Sequence, residues 1–147
     1  MKPKEFIEKY LDAAKQSETE TGTPYLLTLA QAALESGWGE HAPGNNFFGI
    51  KAGRLWKGKT QVLKTREVIN GKKIFINDIF RAYDTPEECF KDHGVFLKTR
   101  FPKAFSFPDP VAFIFSVQND HEYKYATDPK YVELIAAMIK TLERNLC

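Results

Sequence analysis

The feature that most constrains the fold is a change in the spacing of apolar residues around Asn70-Gly71. Residues 60–69 and 72–83 are rich in Val, Ile and Phe, and this dipeptide separates the two runs. Asn-Gly between such runs is the strongest short signal for a two-residue hairpin turn. On both sides of this region the apolar spacing is helical. The sequence therefore predicts a mainly helical α+β chain with one small β-hairpin lobe.

About five helices surround the predicted hairpin, the first from about Lys4 to Ser17. Residues that commonly begin or end helices mark the other boundaries: Thr23-Pro24, Thr85-Pro86, Asp109-Pro110 and Asp128-Pro129 at starts, and Gly22, Gly37 and Pro102 at or just beyond ends. No repeat, low-complexity tract or linker interrupts the 147 residues. We therefore expect one domain over residues 1–147.

Composition argues against several classes of partner. The net charge of +2 does not suggest nucleic-acid binding, which usually needs a concentrated basic patch. The loose basic cluster from Lys51 to Lys73 is either a solvated edge or an attraction to an anionic cell wall. The N-terminus lacks the apolar core of a secretory signal, and no stretch of about 20 apolar residues could span a membrane. We expect a monomer, because no heptad or exposed apolar stripe stands out.

Neither the cysteines nor the histidines form a metal-binding pattern. Cys89 and Cys147 have no ligand spacing around them, and we expect free thiols or small core fillers. His41, His93 and His121 are far apart in sequence, and each is expected at the surface or in packing. The sequence thus predicts no metal and no organic cofactor.

Glu35 is the strongest candidate for a catalytic acid. It lies in AALESGWG, in the last turn of the second predicted helix, where unpaired carbonyls and the helix dipole disfavour a carboxylate. Trp38 follows closely and is expected to desolvate it further. Both effects raise the carboxyl pKa, which suits protonation of a leaving oxygen near neutral pH. The alternative is a surface glutamate at a helix end.

A second carboxylate, Glu67, is predicted on the hairpin. A two-residue turn pairs it with Ile74, and strand alternation puts it among branched apolar side chains. Two carboxylates that flank a glycosidic bond are the usual apparatus of a glycosidase, so Glu35 and Glu67 could face each other across a cleft. Alternatively, Glu67 is a charge that protects an edge strand from aggregation.

Further candidates combine amide groups with aromatic rings, a mixture that suits N-acetyl sugars. One group is the segment Asn45-Asn46-Phe47-Phe48, for which an ordinary structured turn is the alternative. Another is formed by the tyrosines that flank the start of the last helix, which could equally belong to the core: Tyr123, Tyr125 and Tyr131.

Four segments, in order, resemble glycoside hydrolase family 73, the N-acetylglucosaminidases that include FlgJ-like and autolysin-type muralytic domains. The segments are LAQAALESGWGE; NNFFGIKA with Trp56 and Gly58; the hairpin with Thr65 and Glu67, followed by FRAYDTPEECFKDH; and YATDPKYVELI from Tyr125. The resemblance covers about Phe6 to Leu142. It departs at Lys124, where many relatives have glycine.

The resemblance implies a lysozyme-like fold and hydrolysis of the β-1,4 bond after N-acetylglucosamine in peptidoglycan glycan strands. It implies Glu35 as the general acid, Glu67 as the second carboxylate and Tyr125 as a tyrosine that contacts the sugar near the acid. The expected substrate contacts are Trp38, Asn45, Asn46, Phe47, Phe48 and Tyr123. Such an enzyme acts on the cell wall, periplasmic or extracellular. The chain carries no delivery signal, which would fit a phage lysin or another exported factor.

Two other functions fit the same pattern. A muramidase or a lytic transglycosylase has a similar fold and a similar glutamate at a helix end. A non-catalytic wall-binding module is also compatible with the fold, because fold does not fix function. The presence of both Glu35 and Glu67 argues against this last alternative.

Overall fold

Helices from both ends of the chain enclose the core, and the hairpin extends from them. The computed structural model describes residues 1–146, so the prediction for Cys147 lies outside the described residues. In chain order the elements are α1 (Pro3–Thr21), α2 (Tyr25–Ser36), β1 (Thr60–Ile69), β2 (Lys72–Arg81), α3 (Pro86–Arg100), α4 (Pro110–Gln118) and α5 (Tyr131–Arg144). Short 3₁₀ helices lie at Pro43–Asn45 and Pro102–Ser106. The predicted mainly helical α+β class is confirmed.

The hairpin forms in the predicted register. Asn70 and Gly71 have φ values of 52° and 77°, as a two-residue turn that matches the strand twist requires. Glu67 pairs with Ile74, and the ladder runs from this turn to Thr60 opposite Arg81. β2 therefore ends two residues earlier than the sequence indicates.

Most of the predicted helix signals act as expected. Gly22 and Gly37 are left-handed and end α1 and α2, with φ values of 87° and 57°. The Thr85 side chain accepts a hydrogen bond from the N–H of Glu88 (3.2 Å) at the start of α3. Asp109 caps α4 in the same way. These contacts satisfy N–H groups that a helix start leaves unpaired.

Two predicted caps are wrong. Thr23 does not cap α2, because its hydroxyl lies 2.9 Å from the Thr21 hydroxyl and Pro24 takes the N-cap position. Asp128 does not start α5 directly. Its side chain accepts from the N–H of Lys130 (2.8 Å) in a turn that precedes the helix, so α5 begins at Tyr131.

α2 is the central helix of the molecule. It packs against α1 and α5, and α1 also packs against α3. Its buried side chains include Leu27, Leu29 and Ala30, together with the polar Thr28 and Gln31. Burial of a polar group without a hydrogen-bond partner is energetically unfavourable. The elements that pack beside Gln31 must therefore supply partners for its amide. A helix buried along most of its length also holds its last turn rigidly.

Phe90 of α3 supports the chain segment that leads to the hairpin. Its ring contacts Tyr10 of α1 and both Phe47 and Phe48, with centroid separations of 5.4–6.1 Å. All four side chains are buried. The far end of the hairpin is open to solvent, with Phe75 62% exposed. The hairpin is therefore a small lobe anchored at its base.

Candidate active site

A large cleft lies between the helical body and the hairpin. Its volume of about 760 Å³ is in the range of ligand-binding sites. Four parts of the chain line it: the end of α2, the 48–53 loop with Arg81, the end of α3, and residues 124–128 with the start of α5. The cleft thus forms where elements distant in sequence converge.

Glu35 lies in the wall of this cleft, in the last turn of α2. The residue is exposed because the cleft is open, yet the surrounding walls remove part of the water from its carboxyl. This partial burial raises the pKa of Glu35 above its ordinary value. The carboxyl is thus available as a proton donor at higher pH than an ordinary glutamate, as the sequence predicts.

Tyr131, the first residue of α5, contacts Glu35 directly. Its hydroxyl donates a hydrogen bond to Oε1 of Glu35 over 3.2 Å. A donor to the carboxylate favours the ionised form, so this contact lowers the pKa of Glu35 and opposes the larger effect of burial. Sequence reasoning placed Tyr131 near the last helix without assigning it a partner.

Behind Tyr131, two buried polar side chains meet. The Nε2 group of Gln31 donates to the Tyr131 hydroxyl over 3.0 Å, and Nε2 of His93 lies 2.8 Å from Oε1 of Gln31. The His93 ring stacks on Phe48 at 3.7 Å. Burial lowers the pKa of His93 to about 3, so its ring is neutral at physiological pH.

Tyr125 lines the cleft beside Tyr131, with 5.9 Å between the ring centroids. The Oε1 atom of Gln118 accepts from the N–H groups of Tyr125 and Ala126 (both 3.0 Å) and holds this segment in place. The Tyr125 hydroxyl is buried and has no hydrogen-bond partner in the described chain. Burial raises its pKa, so it remains a neutral donor.

Glu67 is ion-paired in the half of the hairpin nearer the turn, where it pairs with Ile74. The ammonium of Lys51 lies 3.3 Å from Oε1 of Glu67 and 2.9 Å from Asp78 on the opposite strand. Lys51 lines the cleft, whereas Glu67 is not among the lining residues. The predicted apolar surroundings of Glu67 therefore need correction: a cation and a second carboxylate lie on the same hairpin face.

The Asn45–Phe47 segment, predicted to contact substrate, is not among the residues that line the cleft. The amide of Asn46 donates to the carbonyls of Ile50 (3.0 Å) and Arg81 (2.9 Å) and accepts from the Ile50 N–H. Asn45 donates to a backbone carbonyl, and the Phe47 ring is 2% exposed. The side chains of Asn45 and Asn46 hold the loop in shape with polar groups that already have partners, and the Phe47 ring packs in the core.

The remaining predicted substrate contacts are divided. Phe48 lines the cleft. Trp38 does not: its ring packs edge-on against Phe6 of α1 at 5.5 Å, and desolvation of Glu35 by Trp38 stays a prediction. Tyr123 is exposed, and the guanidinium of the cleft residue Arg100 lies 5.3 Å from its ring.

Basic side chains in the cleft are the main feature that sequence reasoning missed. Two acidic and four basic residues line it: Glu35 and Asp128, and Lys51, Arg81, Arg100 and Lys124. The basic residues come from four separate parts of the chain, and of these Lys51 alone belongs to the basic cluster seen in the sequence. Lys51 is ion-paired with Glu67 and Asp78, and Arg81 with Asp92. Arg100 and Lys124 are therefore the cations in the described cleft that favour an anionic ligand.

Comparison with known proteins places this chain in a family. The family model described as mannosyl-glycoprotein endo-β-N-acetylglucosaminidase matches residues 11–144. The chain belongs to the glucosaminidase family. The predicted resemblance to glycoside hydrolase family 73 is therefore confirmed.

Two curated relatives of this glucosaminidase chain carry different names. The chain is 33% identical over 147 residues to peptidoglycan hydrolase FlgJ of Salmonella typhimurium, covering 95% of this chain and 46% of the relative. It is 34% identical over 142 residues to a probable N-acetylmuramidase of Lactococcus lactis, covering 86% and 30% respectively. The chain thus spans less than half the length of these relatives.

A solved structure matches the glucosaminidase chain almost end to end. The C-terminally truncated glycoside hydrolase domain of Salmonella typhimurium FlgJ is 32% identical, with a TM-score of 0.80 over 97% of this chain and 99% of that one. The predicted lysozyme-like fold with a hairpin lobe is confirmed.

Two further surveys cover the residues that the structure describes. Within 1–146, no helix is both long and apolar enough to cross a membrane. No group of three or more His, Cys, Asp or Glu side chains in that part of the chain could hold a metal ion. Cys89 is a buried free thiol.

Proposed function

We propose that this chain is a peptidoglycan endo-β-N-acetylglucosaminidase that cuts the β-1,4 bond after N-acetylglucosamine. The observation that carries the proposal is Glu35: a partly buried carboxyl with a raised pKa, held by Tyr131 in the wall of a large cleft. The family model and the peptidoglycan hydrolases among the relatives support the bond and the polymer.

Glu35 acts as the general acid. It donates its proton to the glycosidic oxygen as the C1–O bond breaks, so the leaving sugar departs as a neutral alcohol. Charge develops as an oxocarbenium ion on one side and a carboxylate on the other. The hydroxyl of Tyr131 already donates to Glu35, and this contact stabilises the carboxylate as it forms.

Glu67 and Tyr125 act on the sugar that becomes cationic. Glu67 either activates water or stabilises the oxocarbenium while the substrate's own acetamido group attacks C1. Its ion pair with Lys51 (3.3 Å) must loosen for the first route. For Tyr125 to donate a hydrogen bond to the reacting sugar in either route, its buried, unpartnered hydroxyl must become accessible from the cleft that the residue lines.

The chemistry of peptidoglycan fits the basic side chains in the rest of the cleft. Peptidoglycan carries lactyl and peptide carboxylates, and Arg100 and Lys124 lie on the cleft surface where such groups would pass.

Residues 1–147 act as one catalytic domain, because α1 and α5 both pack on α2, which carries Glu35. We expect a monomer that acts on the cell wall, in the periplasm or outside the cell.

The bond that is cut can be identified by mass spectrometry. Peptidoglycan digested with the protein and reduced with borohydride should yield fragments that end in reduced N-acetylglucosamine. Reduced muramic ends would instead indicate a muramidase, and 1,6-anhydro ends a lytic transglycosylase. Binding to sacculi without soluble fragments would indicate a wall-binding module. Any of these three results contradicts the proposed function.

Removal of the Tyr125 hydroxyl should separate activity from stability. In Tyr125→Phe, the rate of muropeptide release should fall by about tenfold to a hundredfold, the worth of a hydrogen bond to a charged centre. The melting temperature should stay the same or rise, because the variant no longer buries an unpartnered hydroxyl. A variant with full activity would show that the Tyr125 ring contributes packing and that its hydroxyl has no part in catalysis.

Neutralisation of Glu67 should have a smaller effect than neutralisation of Glu35. We expect Glu67→Gln to lower the rate of muropeptide release by about a hundredfold, the lower end of the range for general acid–base catalysis. Its stability should change by less than about 1 kcal/mol, as for other exposed ion pairs. Asp78→Asn is the matched control, since it removes the other partner of Lys51. If both variants lose the same activity, the anchoring of Lys51 matters and the Glu67 carboxylate does not.

A further inference from the structure

A chain of polar contacts runs from the centre of the molecule to the cleft. His93 and Gln31 are fully buried and Tyr131 is 3% exposed. The contacts are His93 Nε2 to Gln31 Oε1 (2.8 Å), Gln31 Nε2 to the Tyr131 hydroxyl (3.0 Å), and that hydroxyl to Glu35 Oε1 (3.2 Å). Three helices supply these side chains: α3, α2 and α5.

We propose that Gln31 and His93 are positioning residues that direct the hydroxyl proton of Tyr131 toward Oε1 of Glu35. Through this contact they determine which carboxyl oxygen delivers the catalytic proton. The catalytic part of this inference rests on the proposed function, in which Glu35 is the general acid. The direction of the hydrogen bonds is a property of the folded chain and stands apart from it.

The first step concerns the Tyr131 hydroxyl, which has one proton to donate and lone pairs to accept with. The amide N–H of Gln31 occupies a lone pair of this oxygen. The hydroxyl proton is then left for Glu35. If the amide presented its oxygen to Tyr131 instead, the hydroxyl would donate to Gln31 and Glu35 would lose its donor.

The second step is that His93 fixes the orientation of the Gln31 amide. A neutral imidazole has one N–H and one bare nitrogen, and Nδ1 of His93 has no partner in the described chain. Orphaned buried N–H groups are rarer than orphaned acceptors. The proton therefore lies on Nε2, which faces the Oε1 atom of Gln31 at 2.8 Å. The amide nitrogen must then point to Tyr131.

The consequence reaches the acid itself. Because Oε1 of Glu35 accepts from Tyr131, the acidic proton resides on Oε2, the oxygen left for the substrate. The same contact stabilises the carboxylate and opposes the rise in pKa that burial causes. The charged groups that share the cleft with Glu35 are Lys51, Arg81, Arg100, Lys124 and Asp128.

The test measures the pKa of Glu35 directly, by carbon-13 NMR titration of its carboxyl in the whole protein. Gln31→Met keeps the side-chain length and removes the amide, whose donation to the Tyr131 oxygen fixes and polarises the O–H that points to Glu35. Without it, Tyr131 donates to the Glu35 carboxylate more weakly. We expect the pKa of Glu35 to rise, kcat to fall by about threefold to tenfold, and the alkaline limb of the pH–rate profile to move to higher pH. Loosened packing would hydrate the carboxyl and lower its pKa, so the sign distinguishes positioning from structural damage.

Two controls make the result specific. Thr28→Val removes a buried hydroxyl without a partner, one turn earlier on α2, and should leave the pKa of Glu35 unchanged. Tyr131→Phe already breaks the series of hydrogen bonds between His93 and Glu35. Adding Gln31→Met to it should therefore raise the pKa of Glu35 no further. An unchanged pKa in folded Gln31→Met, or a full additional rise in the double variant, would overturn the proposal.

A measurement on the unmodified protein decides the matter if the Gln31 variant does not fold. Nitrogen-15 shifts of the His93 ring should report a proton on Nε2 and a bare Nδ1 at neutral pH. A proton on Nδ1 would reverse the amide and refute the proposal. Neither NMR result depends on catalysis, so an active Glu35→Gln variant would contradict the proposed function and leave the positioning chain intact.

Discussion

Glu35→Gln should lower the rate of muropeptide release by about a thousandfold, within the range of about 10²–10⁴ that general acid catalysis contributes. The amide keeps the size and the acceptor oxygen for the Tyr131 hydroxyl, but it has no proton to transfer to the glycosidic oxygen. The rate is measured as soluble reducing ends released from purified peptidoglycan.

Stability should move in the opposite direction to activity. Burial raises the pKa of Glu35 in the folded state, so the folded protein binds a proton more readily than the unfolded chain. Ionisation therefore destabilises the fold as pH rises through this window. Glu35→Gln removes that cost, and its melting temperature at neutral pH should equal or exceed that of the wild type.

The matched control is Glu143→Gln, which neutralises an exposed glutamate in the last turn of α5, away from the cleft. It should keep full activity. If Glu35→Gln retained more than about a tenth of the wild-type rate, well above what loss of a general acid allows, Glu35 would not be the acid.

Phe90→Ala should cost about 3–5 kcal/mol of stability, as is usual for loss of a buried phenylalanine. Phe90 is fully buried and contacts Tyr10, Phe47 and Phe48. Its removal leaves a cavity that these rings, fixed on α1 and on the loop, cannot fill. In a chain of this length the melting temperature should fall by roughly 10–15 °C, as measured by calorimetry or circular dichroism.

Phe90→Ala should also disturb the geometry of the cleft, because its neighbour Phe48 lines the cleft and stacks on His93. Phe90→Leu, which fills most of the space, should lose clearly less stability. Phe115→Ala, which truncates a phenylalanine that is 58% exposed, should change stability by less than about 0.5 kcal/mol. An equal loss in Phe90→Ala and Phe115→Ala would show that the aromatic cluster does not hold the fold together.

The sequence by itself determined the local features of the fold. Asn70-Gly71 adopts positive φ at both residues, and few other residue pairs do so without conformational strain. Gly22 and Gly37 end their helices for the same reason, and the period of apolar residues separates helix from strand. Glu35 could be singled out as a candidate acid because its position at a helix end opposes the dipole, a preference that depends only on neighbours in the chain.

Tertiary structure alone decided the partners of these residues. Tyr131 and Glu35 are 96 positions apart, and Gln31 and His93 are 62 apart, so no spacing rule could pair them. The pairing follows from burial: a glutamine enclosed by helices must find both a donor and an acceptor, and here α3 and α5 supply them.

Tertiary structure also decided which candidates reach the cleft. Asn46 and Phe47 carry chemistry that suits a sugar, yet the packing of the hairpin base directs Asn46 to backbone carbonyls and Phe47 into the core. Lys51 is, in the sequence, one member of a loose basic cluster, but in the fold it lies in the cleft between two carboxylates. Residue type specifies what a side chain can bind, and the direction in which the folded backbone points it specifies what it does bind.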